Sequence, residues 1–326
     1  MKPYPKVIGR IIEAIKAYDS FCVIGHIRPD GDCVGCQLAL AYALKNNEKK
    51  VAVWNDDEIP YKYKFLDVEH LIKRPREGYE FDCVITVDSA NLSRLGNGVN
   101  CIGRRKLFIN IDHHESNDRY GDINYVNGKA SSTAELVYRI LKAARWQITK
   151  PIADALFTGI STDTGSFQYS TTKPLTYHIA GELVSKGADI ARICDRVYQS
   201  FPLSRVKLLK HVYSSFKLTC DDKVAYFWLR KEDFEKAGAN CSDTEGLIDH
   251  IRSIEPVVVA CVFEEEEPGL IRISLRSKSS LVNVNQIAKL FGGGGHAAAA
   301  GAKVRGTHLS VQRRVLSAIK NALNSH

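Results

Sequence analysis

Four short clusters of acids and histidines carry the chemistry in this chain. The first is Gly25-His26-Ile27-Arg28-Pro29-Asp30-Gly31-Asp32, the second is Asp88, the third is Asp112-His113-His114, and the fourth is Asp163 within Ser161-Thr162-Asp163-Thr164-Gly165. A set rich in carboxylate, with a few imidazoles and no thiolate, suits Mn²⁺ or Mg²⁺ better than a structural zinc ion. So many carboxylates in one crevice repel one another, and two cations about 3.5–4 Å apart that share one Asp relieve the repulsion. Any one of these Asp residues could cap a helix or a turn, but a cap has no use for a pair of histidines at an adjacent strand end.

Elements that end at these residues are visible in the flanking pattern. From residue 7 to about 190, short β-branched runs alternate with amphipathic stretches, the signature of a parallel sheet flanked by helices. Strands are expected at Phe21–Ile24, Val51–Trp54, Cys83–Val87 and Leu107–Ile111, and three of them run directly into a cluster. In open α/β sheets ligands bind at the carboxyl ends of strands. Helices are expected at Cys33–Leu44, at Thr133–Ala144 behind a Ser132/Glu135 capping box, from Ile152 to just before Thr162, and from Pro174 to a stop at Gly187. Residues 191–215 read as a helical connector, and 216–326 as a smaller α/β domain after a catalytic domain over 1–190. In the second domain, strands are expected at Phe216–Thr219, Val224–Leu229, Val257–Phe263 and Leu270–Arg276, with the acidic run 264–267 in a solvated hairpin tip. The run Gly292-Gly293-Gly294-Gly295-His296, followed by alanines, is expected to lead into a helix and to offer bare backbone N–H groups to a phosphate.

Composition narrows the class. The chain has 326 residues, 44% hydrophobic and 25% charged, and a net charge of +8 spread along its length, which favours a phosphate-bearing partner without specifying one. No apolar run approaches the roughly 20 residues that span a bilayer, and the first residues lack a signal-peptide core, so a cytoplasmic protein without membrane contact is expected. Nine cysteines, mostly in apolar segments, argue against a disulfide framework, and Cys33-x-x-Cys36 has no second pair at zinc spacing. The remaining histidines (His70, His178, His211, His250, His308, His326) and Trp54, Trp146 and Trp228 are expected to be surface or packing residues.

Together, His26-x-x-x-Asp30-x-Asp32, Asp88, Asp112-His113-His114 and Asp163 resemble, in order, the four motifs of the DHH phosphoesterase superfamily. Arg276 and Gly292–His296 resemble its DHH-associated domain. The resemblance spans nearly the whole chain and is nearest to the bacterial oligoribonuclease (nanoRNase) and 3′-phosphoadenosine 5′-phosphate phosphatase group. It implies that His26 and Asp30 hold one ion, that Asp32, His113 and Asp163 hold the other, and that Asp88 bridges both. It further implies that Asp112 orients His113 and that His114 faces the substrate phosphate. His114 and Arg276 would compensate charge on the phosphate during hydrolysis, while Gly292, Gly293, Gly294, Gly295 and His296 would hold a substrate terminus. Glu245, in Thr244-Glu245-Gly246-Leu247, is a further candidate beside the cleft. Two divalent ions, Mn²⁺ first with Mg²⁺ or Co²⁺ as alternatives, a short RNA or nucleotide substrate and a homodimer are expected on the same ground.

Other members of the superfamily give the competing readings. A pyrophosphatase or exopolyphosphatase keeps the metal motifs but lacks this glycine run, and a cyclic-dinucleotide phosphodiesterase differs in cleft detail. A RecJ-type exonuclease on long strands needs an extended basic channel and an added OB-fold. A nucleotide sensor with a retired site is disfavoured by the complete ligand set, and no long-duplex partner is expected.

Overall fold

Five runs rich in Val, Ile and Phe, together with one short edge strand, build a wholly parallel six-stranded sheet in the first half of the chain. The computed structural model describes residues 4–324. The chain divides into two units between Ser200 and Phe201.

In the first unit, α1 (Lys6–Ala17) leads to β1 (Ser20–Ile24), α2 (Gly31–Asn46), β2 (Lys50–Trp54), β3 (Ile72–Lys73), β4 (Tyr79–Val87), β5 (Ile102–Asp112) and β6 (Ile123–Val126). Four helices follow: α3 (Thr133–Ala143), α4 (Lys150–Asp163), α5 (Pro174–Ser185) and α6 (Ile190–Tyr198). The strand order is β3-β2-β1-β4-β5-β6, so β1 and β4, whose ends carry His26 and Asp88, are central neighbours. Parallel strands covered on both faces read as continuous apolar runs, and β1 and, apart from Thr86, β4 do so towards their C-terminal ends, while Asn110 interrupts the run in β5.

Helix α2 is buried along nearly its whole length, which explains why it lacks the amphipathic stripe of a surface helix. It packs on α4 with no room to spare at Gly35, where an added Cβ would lie 2.4 Å from the backbone carbonyl oxygen of Ala155. That close crossing fixes the N-terminal end of α2, with Asp32, against the end of α4 that carries Asp163. Cys33 and Cys36 are interior thiols of α2. At α3, Ser132 Oγ accepts from Glu135 N as a cap should, but the Glu135 carboxylate reaches back to Ser131 rather than to the Ser132 backbone, so the capping box is half formed.

In the second unit, α7 (Leu203–Ser215) precedes β7 (Lys217–Thr219), β8 (Val224–Leu229), α8 (Lys231–Ala237), α9 (Leu247–Arg252), β9 (Val259–Glu267), β10 (Leu270–Ser277), α10 (Val284–Lys289), β11 (Gly294–Gly295), β12 (Ala299–Arg305) and α11 (His308–Asn324). Its mixed sheet runs β11-β12-β10-β9-β8-β7. Three expectations change here. The 191–215 stretch is two helices, α6 and α7, broken at Phe201-Pro202 and belonging to different units. The acidic run is strand rather than tip: β9 continues to Glu267, Glu264 is buried against Arg272, and Glu266 pairs with Lys303, so the turn is only Pro268-Gly269. The glycine run leads into a β-hairpin, not a helix: His296 and Ala299 exchange backbone hydrogen bonds around a two-residue Ala297-Ala298 turn, and the alanines continue as β12. A helix-dipole argument for phosphate binding at this run therefore does not hold.

Candidate metal centre

All six residues assigned as metal ligands from the sequence converge in the first unit. His26 leaves the end of β1, Asp30 caps α2, and Asp32 sits in its first turn. Asp88 follows β4 with a left-handed backbone (φ 56°), a conformation Asp tolerates better than most residues. Asp112 ends β5, with His113 next in the chain, and Asp163 ends α4.

The carboxylate of Asp88 faces two ways. Its Oδ2 lies 3.4 Å from His26 Nε2, which is also 3.8 Å from Asp30 Oδ1. Its Oδ1 lies 3.7 Å from His113 Nε2, which is 3.2 Å from Asp163 Oδ2 and 4.0 Å from Asp32 Oδ2. Donor atoms of His26, Asp30 and Asp88 lie within 4.8 Å of one another, as do those of Asp32, His113 and Asp163. Ligands that each stand about 2.0–2.2 Å from a cation are spaced in this way. The residues present thus fit two divalent cations that share Asp88, and the four carboxylates Asp30, Asp32, Asp88 and Asp163 match the charge of two such ions.

Electrostatics supports the fit. Burial, and then the charges of Asp88, Asp163 and Asp30, push the Asp32 carboxyl well above its ordinary range. A carboxyl so disfavoured as an anion marks a repulsion among these carboxylates that a bound proton or a cation relieves. Asp32 is nonetheless held in the ligand orientation by α3, whose first two amides, Thr133 N (2.6 Å) and Ala134 N (2.9 Å), donate to its two oxygens. Thr133 Oγ1 donates to Asp88 Oδ1 at 3.0 Å. Asp30 Oδ1 also accepts from the amides of Asp32 and Cys33, so its capping role coexists with its place in the cluster.

Asp112 departs from its expected role. Its Oδ1 pairs with the ring of His114 (Nδ1, 2.7 Å) and accepts from the backbone, not the ring, of His113 (2.8 Å), while Oδ2 accepts from Asn117 Nδ2 (2.6 Å). It orients His114 rather than His113, whose ring takes a backbone hydrogen bond with Ala130. Burial works against a charged His114, but the Asp112 carboxylate, and then Asp88, outweigh it and raise the His114 pKa. Burial also raises the Asp112 carboxyl, yet its two histidine neighbours and Asn117 bring it down to about 2. His113 shifts the other way: burial and the neighbouring His114 charge lower its pKa, as a neutral metal ligand requires. A cavity of about 360 Å³ opens beside His114, rimmed by Arg119 and Lys129.

Sequence reasoning missed Thr133, Asn117 and Arg94. Thr133 is the first residue after the Ser132 cap, a detectable signal. Arg94 Nη2 lies 3.2 Å from His26 Nδ1 across 68 residues of sequence, and nothing local marks it.

In the second unit, Arg276 on β10 pairs in register with Ala299, which in turn closes the hairpin with His296. The sheet thus brings Arg276, Gly294–Gly295 and His296 to one end. Two of the glycines answer to packing: an added Cβ would meet Gly301 O at 2.1 Å from Gly293 and Ala299 O at 2.5 Å from Gly295. Glu245 accepts from Arg205 through its backbone carbonyl and precedes α9. Trp54 packs edge-on to Tyr79 and Phe81, and Trp228 stacks on Phe263. His178, His211 and His308 each face a single carboxylate, and His326 lies outside the described residues. Among the described residues no helix is long and apolar enough to cross a membrane.

The chain is similar to known proteins over most of its length. Residues 20–160 match the DHH family N-terminal domain and residues 221–325 the DHHA1 domain. The bifunctional oligoribonuclease and PAP phosphatase NrnA of Thermus thermophilus is 34% identical over 316 residues, covering 96% of this chain and 93% of the relative. That of Bacillus subtilis is 30% identical over 301 residues, covering 90% and 92%. An exopolyphosphatase-related protein from Bacteroides fragilis superposes with a TM-score of 0.85 at 29% identity over 98% of both chains. With both domains matched in order and such relatives aligned end to end, the chain belongs to the DHH family.

Proposed function

We propose that this protein is a two-metal, Mn²⁺-dependent phosphoesterase that hydrolyses short oligoribonucleotides, linear dinucleotides and 3′-phosphoadenosine 5′-phosphate to mononucleotides. The observation that carries the reading is the two-sided carboxylate of Asp88, one oxygen towards His26 and the other towards His113. The relatives named as oligoribonuclease and PAP phosphatase supply the substrate class.

Two divalent ions in such a centre supply Lewis acidity and bring the pKa of water close to neutrality. His26 and Asp30 would hold one, Asp32, His113 and Asp163 the other, and Asp88 both. Asp112 engages Nδ1 of His114, so contact between His114 and a phosphate oxygen runs through Nε2, and the raised pKa keeps a proton on the ring to donate. Thr133 and Ala134 hold Asp32 still while charge redistributes, so little reorganisation is needed at the moment of reaction. Arg276 can present two parallel N–H donors to a phosphate, and the glycine hairpin offers backbone N–H groups beside His296.

The test is a matched panel under Mn²⁺: pApA, RNA of two to twenty nucleotides, 3′-phosphoadenosine 5′-phosphate and pyrophosphate. Rates highest on the shortest RNAs and on the bisphosphorylated nucleoside support the reading. Hydrolysis confined to pyrophosphate, or equal rates on twenty-mers and dimers, contradicts it.

A further inference from the structure

The cavity of about 360 Å³ beside His114 lies between two loops, one joining β5 to β6 and the other joining β6 to α3. Each loop is fastened to Asp112, the residue that orients His114. Asn117 of the first loop donates its Nδ2 to Asp112 Oδ2 at 2.6 Å, and Asn127 of the second donates its amide to the Asp112 carbonyl at 3.0 Å. Each asparagine then fixes the backbone of a cation two residues on. Asn117 Oδ1 accepts from Arg119 N at 2.7 Å, and Asn127 Oδ1 accepts from Lys129 N at 3.1 Å. Arg119 is held in the left-handed region (φ 53°), which an arginine adopts only under constraint. Between the loops there is no slack: a Cβ on Gly128 would stand 2.5 Å from Glu115 Cγ.

The backbones are thus pinned while the side chains of Arg119 and Lys129 reach into solvent at the rim, and among the described residues neither is engaged by an acid. Glu115 shares the rim, so two cations against one carboxylate leave it net positive. Apart from His114, no ring lines the cavity, which gives a nucleobase nothing to stack on and favours contact with the sugar-phosphate. Its volume is near the lower end of the roughly 300–1,000 Å³ of small-molecule pockets, room for about one nucleotide.

We propose that this cavity is a subsite for a non-reacting phosphate of the substrate, one nucleotide away from the scissile phosphate, and that Arg119 and Lys129 are specificity-determining residues that recognise it without regard to the base. The inference rests on the phosphoesterase reading, in which the scissile phosphate meets His114. A strand longer than one nucleotide beyond that point gains no further contact from the cavity.

The test compares three dinucleotides under Mn²⁺: ApA, which carries only the scissile phosphate, and pApA and ApAp, which each add a phosphate at one end. Wild type is set beside the double variant Arg119→Gln/Lys129→Gln, which keeps the stems and removes the charges. Wild type is expected to prefer pApA or ApAp over ApA by about tenfold, a modest factor because the contacts are exposed. In the double variant the preference at one end falls below about threefold, through KM more than kcat. The Mn²⁺-induced rise in Tm matches wild type, since neither side chain belongs to the ion cluster. The loss is the same on pUpU as on pApA. No preference in the wild type, preferences kept at both ends in the variant, equal losses on all three substrates, a loss confined to one base or a diminished metal-induced rise would each overturn the proposal. If the wild type cleaves none of the three, the phosphoesterase reading falls. Calorimetry with AMP and 3′-phosphoadenosine 5′-phosphate on the Mn²⁺-loaded protein then decides: tighter binding of the bisphosphate that is lost in the variant sustains the subsite, and equal binding of the two overturns it.

Discussion

Replacing Asp88 with Asn removes one charge and almost nothing else. The left-handed backbone at this position (φ 56°) suits Asn as well as Asp, and an amide oxygen can still accept from Thr133 Oγ1. In the metal-free protein the substitution relieves repulsion that raises the Asp32 carboxyl, so the stripped variant is expected to melt at or above the stripped wild type. With metal the order reverses. Two ions, each at a hundredfold excess over its Kd, stabilise the wild type by about 2.7 kcal/mol apiece, about 5 kcal/mol in all. For a unit of this size that is a rise of about 10–20 °C in Tm, at about 2–4 °C per kcal/mol. Asp88 is one of three donors in the His26 set and also faces His113, so the variant should lose most of the rise and retain under about 5 °C. Differential scanning calorimetry of stripped and Mn²⁺-loaded samples measures all four states. A full metal-induced rise in the variant, or a stripped variant many degrees below the stripped wild type, would refute the shared-ligand reasoning.

Other perturbations separate the parts of the site. Asp112→Asn removes the anion that holds the proton on His114, so Mn²⁺ affinity should be nearly unchanged while kcat falls about 10–100-fold. The raised His114 pKa means that its charged form, and its pairing with Asp112, persist at low pH and are lost as pH rises through that pKa. A pH–rate profile should therefore show its alkaline descent moved to lower pH in Asp112→Asn. Arg276→Ala should lower kcat/KM on pApA by about 100-fold without altering the Mn²⁺-induced change in Tm, since it lies outside the ion cluster. Gly35→Val forces a side chain into the carbonyl of Ala155, and the two helix backbones cannot yield locally; a loss of about 1–3 kcal/mol in denaturant unfolding is expected.

The strand ends and their acids were legible because a parallel sheet writes itself as apolar runs, and ligands must follow where such runs stop. Asp88 after Cys83–Val87 is the plainest case. What Asp112 does was not legible, because its choice of His114 over His113 depends on the turn after β5 and on Asn117, not on adjacency in sequence. The acidic run misled because four glutamates suggest a solvated tip, whereas Arg272 and Lys303 on neighbouring elements neutralise Glu264 and Glu266, and the His308 ring lies against Glu265. The alanines after His296 carry almost no periodic signal. Pairing with β10 makes them strand, with Ala300, Ala302 and Val304 turned inward. Arg94 was invisible because its contact with His26 joins the segment after β1 to a 3-10 turn after β4 and belongs to no spacing rule.

The most direct test of the account is hydrolysis of pApA by metal-stripped protein titrated with Mn²⁺, with Asp88→Asn beside it. Activity that is absent without metal, reaches its plateau only near two equivalents and is lost in the variant is the predicted result. A plateau at one equivalent, or near wild-type turnover in the variant, would contradict a two-metal centre bridged by Asp88.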